Sequence, residues 1–277
     1  NTIISTIMPP RRVWDLYSNR VVPWHFVRRK PYPISHAWME EKDREDMLTP
    51  INRREWPVAI PKDANLHLIR IEMLNIGAEY AWLDVLCLRQ VDGQREDLRL
   101  EEWKVDVPTI GCVYHAGMKV VCYFSGLGRP LSLKAGDLES DRSWFRRAWT
   151  LQEISKNPII GGDTGDNNIM EEDIRTEFES KLFSCSLSGP SGGFPDVFRV
   201  LEHMRDRVPK NPVDKVAGLA YLLYTKEIPA YYETQSEEDA WTALVRVMPE
   251  SIRMQMLLNY SAPGNGYKVW RESWRQV

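Results

Sequence analysis

The stretch Tyr80-Ala81-Trp82-Leu83-Asp84-Val85-Leu86-Cys87-Leu88 is apolar almost without a break, and the fold class turns on whether it is a buried strand. A strand covered on both faces, as in a parallel sheet, has to be apolar throughout, whereas a half-solvated strand alternates. Asp84, in the middle of this strand, either accepts backbone N–H bonds or faces a ligand crevice. Upstream, Asp63 caps a helical pattern in which Leu66, Ile69, Met73 and Ile76 recur, closed by Gly77. Further upstream, Ile34-Ser35-His36-Ala37-Trp38 reads as a short strand.

Downstream, a helical segment lies between Asp97 and Ala116, bent or begun near Pro108, and leads to a strand from Lys119 to Phe124. A helix carrying Ser143 to Glu153 follows, with Asp141 as its N-cap and Asn157-Pro158 as its stop, before the strand-like run Ile159-Ile160-Gly161. This alternation predicts an α/β fold, an open parallel sheet flanked by helices with right-handed crossovers. Ligands of such sheets sit at the carboxyl ends of the strands, where the strand order reverses.

Beyond residue 161 the pattern is mainly helical. Helices are expected from about Glu171 to Cys185, Asp196 to Arg207, Pro212 to Tyr224 and Glu237 to Leu258, with the Ser/Gly/Pro stretch 186–195 as a connection. The expected organisation is a basic segment over 1–31, an α/β domain over 32–161, and a helical region over 162–277. The last is rich in Leu, Val, Met and Tyr, so it should pack on the sheet domain.

With 277 residues, 43% of them hydrophobic, the chain can bury a substantial core. A net charge of -3 and a pI near 6.0 offer no general attraction to nucleic acid or anionic membrane, so neither is an expected partner. No apolar run reaches the ~18 residues of a membrane span, and no signal-like stretch opens the sequence, so a cytoplasmic location is expected. Cys87, Cys112, Cys122 and Cys185 lack C-x-x-C spacing and read as buried thiols of a reducing compartment. His25, His67, His115 and His203 stand singly, so no metal site is expected, and Gly126-Leu127-Gly128 reads as a turn.

The chemistry is concentrated in Ser143-Trp144-Phe145-Arg146-Arg147-Ala148-Trp149-Thr150-Leu151-Gln152-Glu153. In a helix, Phe145, Ala148, Trp149 and Gln152 form an apolar stripe, and the i, i+4 spacing sets Glu153 at its edge. The plain structural reading pairs Glu153 with Arg146 or Arg147 and puts Trp149 and Trp38 in the core. The functional reading makes Glu153 an acid exposed to a crevice.

The segments ISHAWME (34–40), YAWLDVLCLRQ (80–90), VPTIGCVYHAGMKVVCYFSG (107–126) and RSWFRRAWTLQE (142–153), in this order, resemble the motifs of the fungal heterokaryon incompatibility (HET) domain family. NPVDKVAGLAYLL (211–223) and YYETQSEEDAWTAL (231–244) look like the helical region that follows in those proteins. The commoner pattern has Tyr where His36 stands and a glycine that Ala37 to Met39 lack. The HET family is itself similar in layout to Toll/interleukin-1 receptor (TIR) domains, with a flavodoxin-like sheet.

The resemblance implies a protein of fungal non-self recognition and cell death, a form of innate immunity. Trp149 and Glu153 fall on the W-x-x-x-E pattern whose Glu, in enzymatic TIR domains, cleaves the nicotinamide-ribose bond of NAD. On that comparison Glu153 is catalytic and Trp38 stacks on a base. Ser35 or His36 contacts sugar or phosphate, Asp84 and Trp149 line the site, and Arg146 and Arg147 meet the pyrophosphate. NAD or a related nucleotide is then substrate, with no further cofactor and a homo-oligomeric state. The alternative is a non-enzymatic, self-associating signalling or adaptor module.

Overall fold

The structure, a computed structural model, describes residues 2–3, 8–116, 119–153, 158–166, 170–185, 196–259, 263–265 and 272–277. Six strands form the main sheet: β1 (Arg12–Asp15), β2 (Arg20–Pro23), β3 (Tyr32–His36), β4 (Tyr80–Leu83), β5 (Val121–Tyr123) and β6 (Ile159–Ile160). They lie in the order β2-β1-β4-β3-β5-β6. The four strands from β4 to β6 run parallel, and β1 and β2 extend them as an antiparallel hairpin. The protein is thus α/β with a mostly parallel sheet, and its central strand β3 pairs Ile34 with both Leu83 and Val121.

Two sequence expectations change here. The run from Tyr80 to Leu88 is a strand only as far as Leu83; Asp84–Cys87 is a helical turn, so Asp84 ends the strand instead of lying within it. Val85, Leu86 and Cys87 are as buried in the turn as Ala81 to Leu83 are in the strand, and apolarity alone does not mark the change. The basic segment 1–31 supplies the β1–β2 hairpin, in which Val13 and Trp14 are fully buried while Arg11 and Arg12 pair with Asp106 and Glu102.

Helix α1 (Leu66–Asn75) buries Leu66, Ile69 and Met73. Its cap is Asn65, whose side-chain oxygen accepts from the His67 N–H at 2.8 Å, in place of Asp63, which pairs with Arg129. Gly77, at φ 82°, takes the left-handed conformation that ends the helix. The helical pattern over 97–116 divides into α2 (Glu96–Asp106) and α3 (Ile110–Ala116), broken around Pro108. A two-stranded ribbon, Arg44–Met47 with Val58–Pro61, stands apart from the main sheet.

The segment 143–153 is not one helix. Trp144–Arg146 is a 3-10 turn capped by Ser143, and α4 (Thr150–Glu153) begins only at Thr150. Between them Arg147 bridges in parallel to Val208, with the Val208 N–H donating to the Arg146 carbonyl and the Ala148 N–H to the Val208 carbonyl. Pairing with the helical half thus replaces helical bonds here. Asp141 pairs with Arg146 at 3.2 Å and does not cap, and the stop at Asn157 lies outside the described residues.

The helical half comprises α5 (Glu172–Ser184), α6 (Val197–Arg205), α7 (Val213–Ala217), α8 (Leu219–Leu222), α9 (Glu237–Val247) and α10 (Glu250–Asn259). A short strand pair, Thr2–Ile3 with Ile228–Pro229, ties it to the start of the chain. Gly111 in α3 lets the two halves meet closely: a Cβ there would lie 2.6 Å from the Tyr221 ring and 2.7 Å from Gln152 Oε1. No described helix is long and apolar enough to cross a membrane.

Candidate functional site

Strands β3 and β4 end side by side, and their last residues begin the site. Ser35 and His36 close β3, and Asp84 follows β4 directly. Because successive side chains alternate across a strand, Ser35 and His36 serve different neighbours. Ser35 Oγ donates to Glu153 Oε2 at 2.5 Å and accepts from Trp144 Nε1 at 2.7 Å. His36 Nε2 meets Asp84 Oδ1 at 2.9 Å, and its Nδ1 faces the Ala37 carbonyl at 3.2 Å.

Glu153 is 6% exposed and lines a cavity of about 260 Å³ together with Asp84, Arg147, Trp149, Asp214 and Tyr231. Burial raises its pKa, partly offset by the Arg147 charge and the Ser35 bond. Among the described residues no ion pair within 4.0 Å ties it to Arg146 or Arg147, although the Arg147 charge is its strongest favourable neighbour. Burial likewise lowers the Arg147 pKa, against the attraction of Glu153 and Asp84. Arg147 donates to the His36 carbonyl and holds its guanidinium 5.0 Å from the Trp38 ring.

Asp84 responds in the opposite direction. Its burial acts upward, but the His36 charge and bond, Arg147 and the Val85 N–H at 2.7 Å outweigh it and lower its pKa. Opposite Glu153, Asp214 accepts from the Tyr231 hydroxyl at 2.8 Å, the Asn211 N–H at 2.9 Å and the Trp149 indole. Burial still raises its pKa.

The structure brings Trp38, Asp84, Arg147, Trp149 and Glu153 to one cavity wall. Ser35, 1% exposed, and His36, 7%, were expected to contact sugar or phosphate; neither lines this cavity, and they position Glu153 and Asp84 from behind its wall. Arg146 is not on the wall and pairs with Asp141. Trp149 is half-buried against Tyr231, ring centroids 6.3 Å apart, while the fully buried aromatic of the segment is Trp144.

The helical half supplies residues that local pattern does not announce. Arg207, 4% exposed, donates from Nη1 to the Arg147 carbonyl at 2.6 Å and to Thr150 Oγ1 at 2.7 Å. Burial lowers its pKa to about 10. Thr150 in turn donates to the Trp144 carbonyl at 2.6 Å, so a cation of α6's end fixes the turn that carries Glu153. Asp214, Tyr231 and Lys210 close the cavity from the same side.

Among the described residues no cluster of His, Cys, Asp or Glu is suited to hold a metal ion. The four cysteines are free and buried, and burial pushes the Cys87 thiol up to about 12. Fold and cavity define an α/β protein with a desolvated acid beside an open hollow at the carboxyl ends of its parallel strands. No protein family, curated protein or solved structure matches the chain.

Proposed function

We propose that this chain is a nucleotide-cleaving enzyme that hydrolyses the nicotinamide-ribose bond of NAD or a related nucleotide, with Glu153 as the catalytic carboxylate. The observation that carries the reading is a buried acid, oriented by Ser35 and bonded directly to no guanidinium, that lines a cavity. The C1′–N bond breaks, its electron pair leaves with the pyridinium nitrogen, and nicotinamide departs neutral. The ribose is left as an oxocarbenium-like cation, water adds at C1′, and its proton passes to solvent. Because the leaving group is already cationic, no general acid is required. A fixed carboxylate in a low-dielectric site is what the transition state needs.

The order of the parallel strands by sequence, second, first, third, fourth, is the flavodoxin-like order, which supports a flavodoxin/TIR-like fold. With the motif resemblance it supports a HET-domain protein of fungal cell death, cytoplasmic and self-associating. Purified protein at high concentration is incubated with NAD, NADP and ATP, wild type beside Glu153→Gln. The expected result is nicotinamide release by wild type alone. Intact nucleotides throughout would make the protein a non-enzymatic adaptor, and equal cleavage by both would remove Glu153 from its role.

A further inference from the structure

A second cavity, of about 340 Å³, adjoins the first, with Trp38, Met39 and Arg142 lining both. It opens where Ala37 to Met39 leave β3 and Phe124 and Ser125 leave β5. Here the chain has moved to β4 on one side of β3 and to β5 and β6 on the other, so the order reverses at this crevice. Its wall carries the hydroxyl-bearing Ser125, Ser132 and Ser140 above the aromatic cluster of Phe124, Trp144 and Phe145. Such a lining suits a base and a ribose.

The ridge between the cavities is cationic. Arg147, Lys210 and Arg44 stand 5.0, 5.4 and 5.9 Å from the Trp38 ring. Arg44 faces Glu41 at 3.7 Å, whereas neither Arg147 nor Lys210 has a carboxylate within 4.0 Å among the described residues. Arg147 feels Glu153 and Asp84 only beyond ion-pair distance, and with Lys210 at the same indole it makes a cationic ridge that suits a bound anion. Each cavity alone is near the lower bound of the ~300–1,000 Å³ typical of small-molecule sites, and the two joined fall well inside it.

We infer that the two cavities form one dinucleotide site, with the pyrophosphate crossing the Trp38 ridge between Arg147 and Lys210 and the second nucleoside held in the serine-lined cavity. This rests on the proposed function for the first cavity alone, and it makes the substrate a dinucleotide in preference to a mononucleotide. The probe is ADP, titrated calorimetrically into wild type, Ser132→Trp, Lys210→Ala and Glu153→Gln. Ser132 uses its backbone N–H, not its hydroxyl, to bond Ser125, so the substitution fills space without removing that contact.

Ser132→Trp should weaken ADP on the order of tenfold or more, and Lys210→Ala by about fivefold. Glu153→Gln should leave ADP affinity within about twofold. In turnover, Ser132→Trp should lower kcat/KM for NAD on the order of tenfold while changing nicotinamide mononucleotide by less than about threefold. If wild type does not bind ADP, or binds it equally after Ser132→Trp, the second half-site is wrong. ADP binding that depends on Ser132 without any nicotinamide release would instead overturn only the chemistry assigned to Glu153. Should Ser132→Trp fail to fold, Lys210→Ala decides: undiminished ADP binding overturns the pyrophosphate path.

Discussion

Two corners of the same cavity hold carboxylates in opposite electrostatic states. At Asp84 an imidazole, a backbone N–H and a nearby guanidinium settle the charge, and its pKa falls. At Glu153 the direct donor is one neutral hydroxyl, and burial wins. The difference separates a positioning carboxylate from one whose charge is only partly compensated, by Arg147 and Ser35, until a cation forms in front of it.

The widest separation is expected in catalysis. Glu153→Gln should cost on the order of 3 kcal/mol in the barrier, a loss of about a hundredfold or more in nicotinamide release. The same change should not harm the fold. Glu153 titrates higher folded than unfolded, so the folded state binds more protons there, and wild-type stability falls as pH rises from the ordinary glutamate value through the raised one. Melting temperatures should therefore favour Glu153→Gln at neutral pH, with the gap closing in acid. A variant that melts lower at neutral pH would show that the charge is compensated after all. In wild type the acid limb of kcat/KM should lie above the ordinary carboxylate range, since only the ionised acid stabilises the ribosyl cation.

Asp84→Asn should reverse that sign at smaller size. Asp84 titrates lower folded than unfolded, so its contribution is present above the ordinary aspartate value and lost as pH falls through the folded one. Urea unfolding at about pH 7 should show a loss of ~1–3 kcal/mol, shrinking below the ordinary range near pH 4. An equal loss at both pH values would assign the cost to packing instead of charge.

The two corners were also unequally legible. Asp84 and Glu153 both stood out as charges within apolar runs, and composition placed strands at 34–38, 80–88 and 119–124, which overlap the observed 32–36, 80–83 and 121–123 without giving their ends. What the chain did not announce depends on distant pairing. The 143–153 segment breaks because Arg147 meets Val208, a partner no local period encodes. Asp214 looks like an ordinary acid early in a helix until Tyr231 and Trp149 close on it. The β1–β2 hairpin escaped notice because its arginines, exposed by composition, are paired with acids of α2.

The finest test lies one bond behind Glu153. Trp144 Nε1 donates to Ser35 Oγ, which donates to Glu153, so each bond polarises the next. Trp144→Phe removes the first donor and keeps most of the ring packed against Phe124 and Phe145. Stability should fall by about 0.5–1.5 kcal/mol for the lost bond, with some added cost for the smaller ring. The hydroxyl then becomes a weaker donor, the ionised acid loses support, and the acid limb of the pH profile should move further up while the Asp84-linked stability window stays in place. A lower melting temperature with an unmoved acid limb would mean that the indole only fills space, and that the orientation of Glu153 is set by Ser35 and the Arg207-braced turn alone.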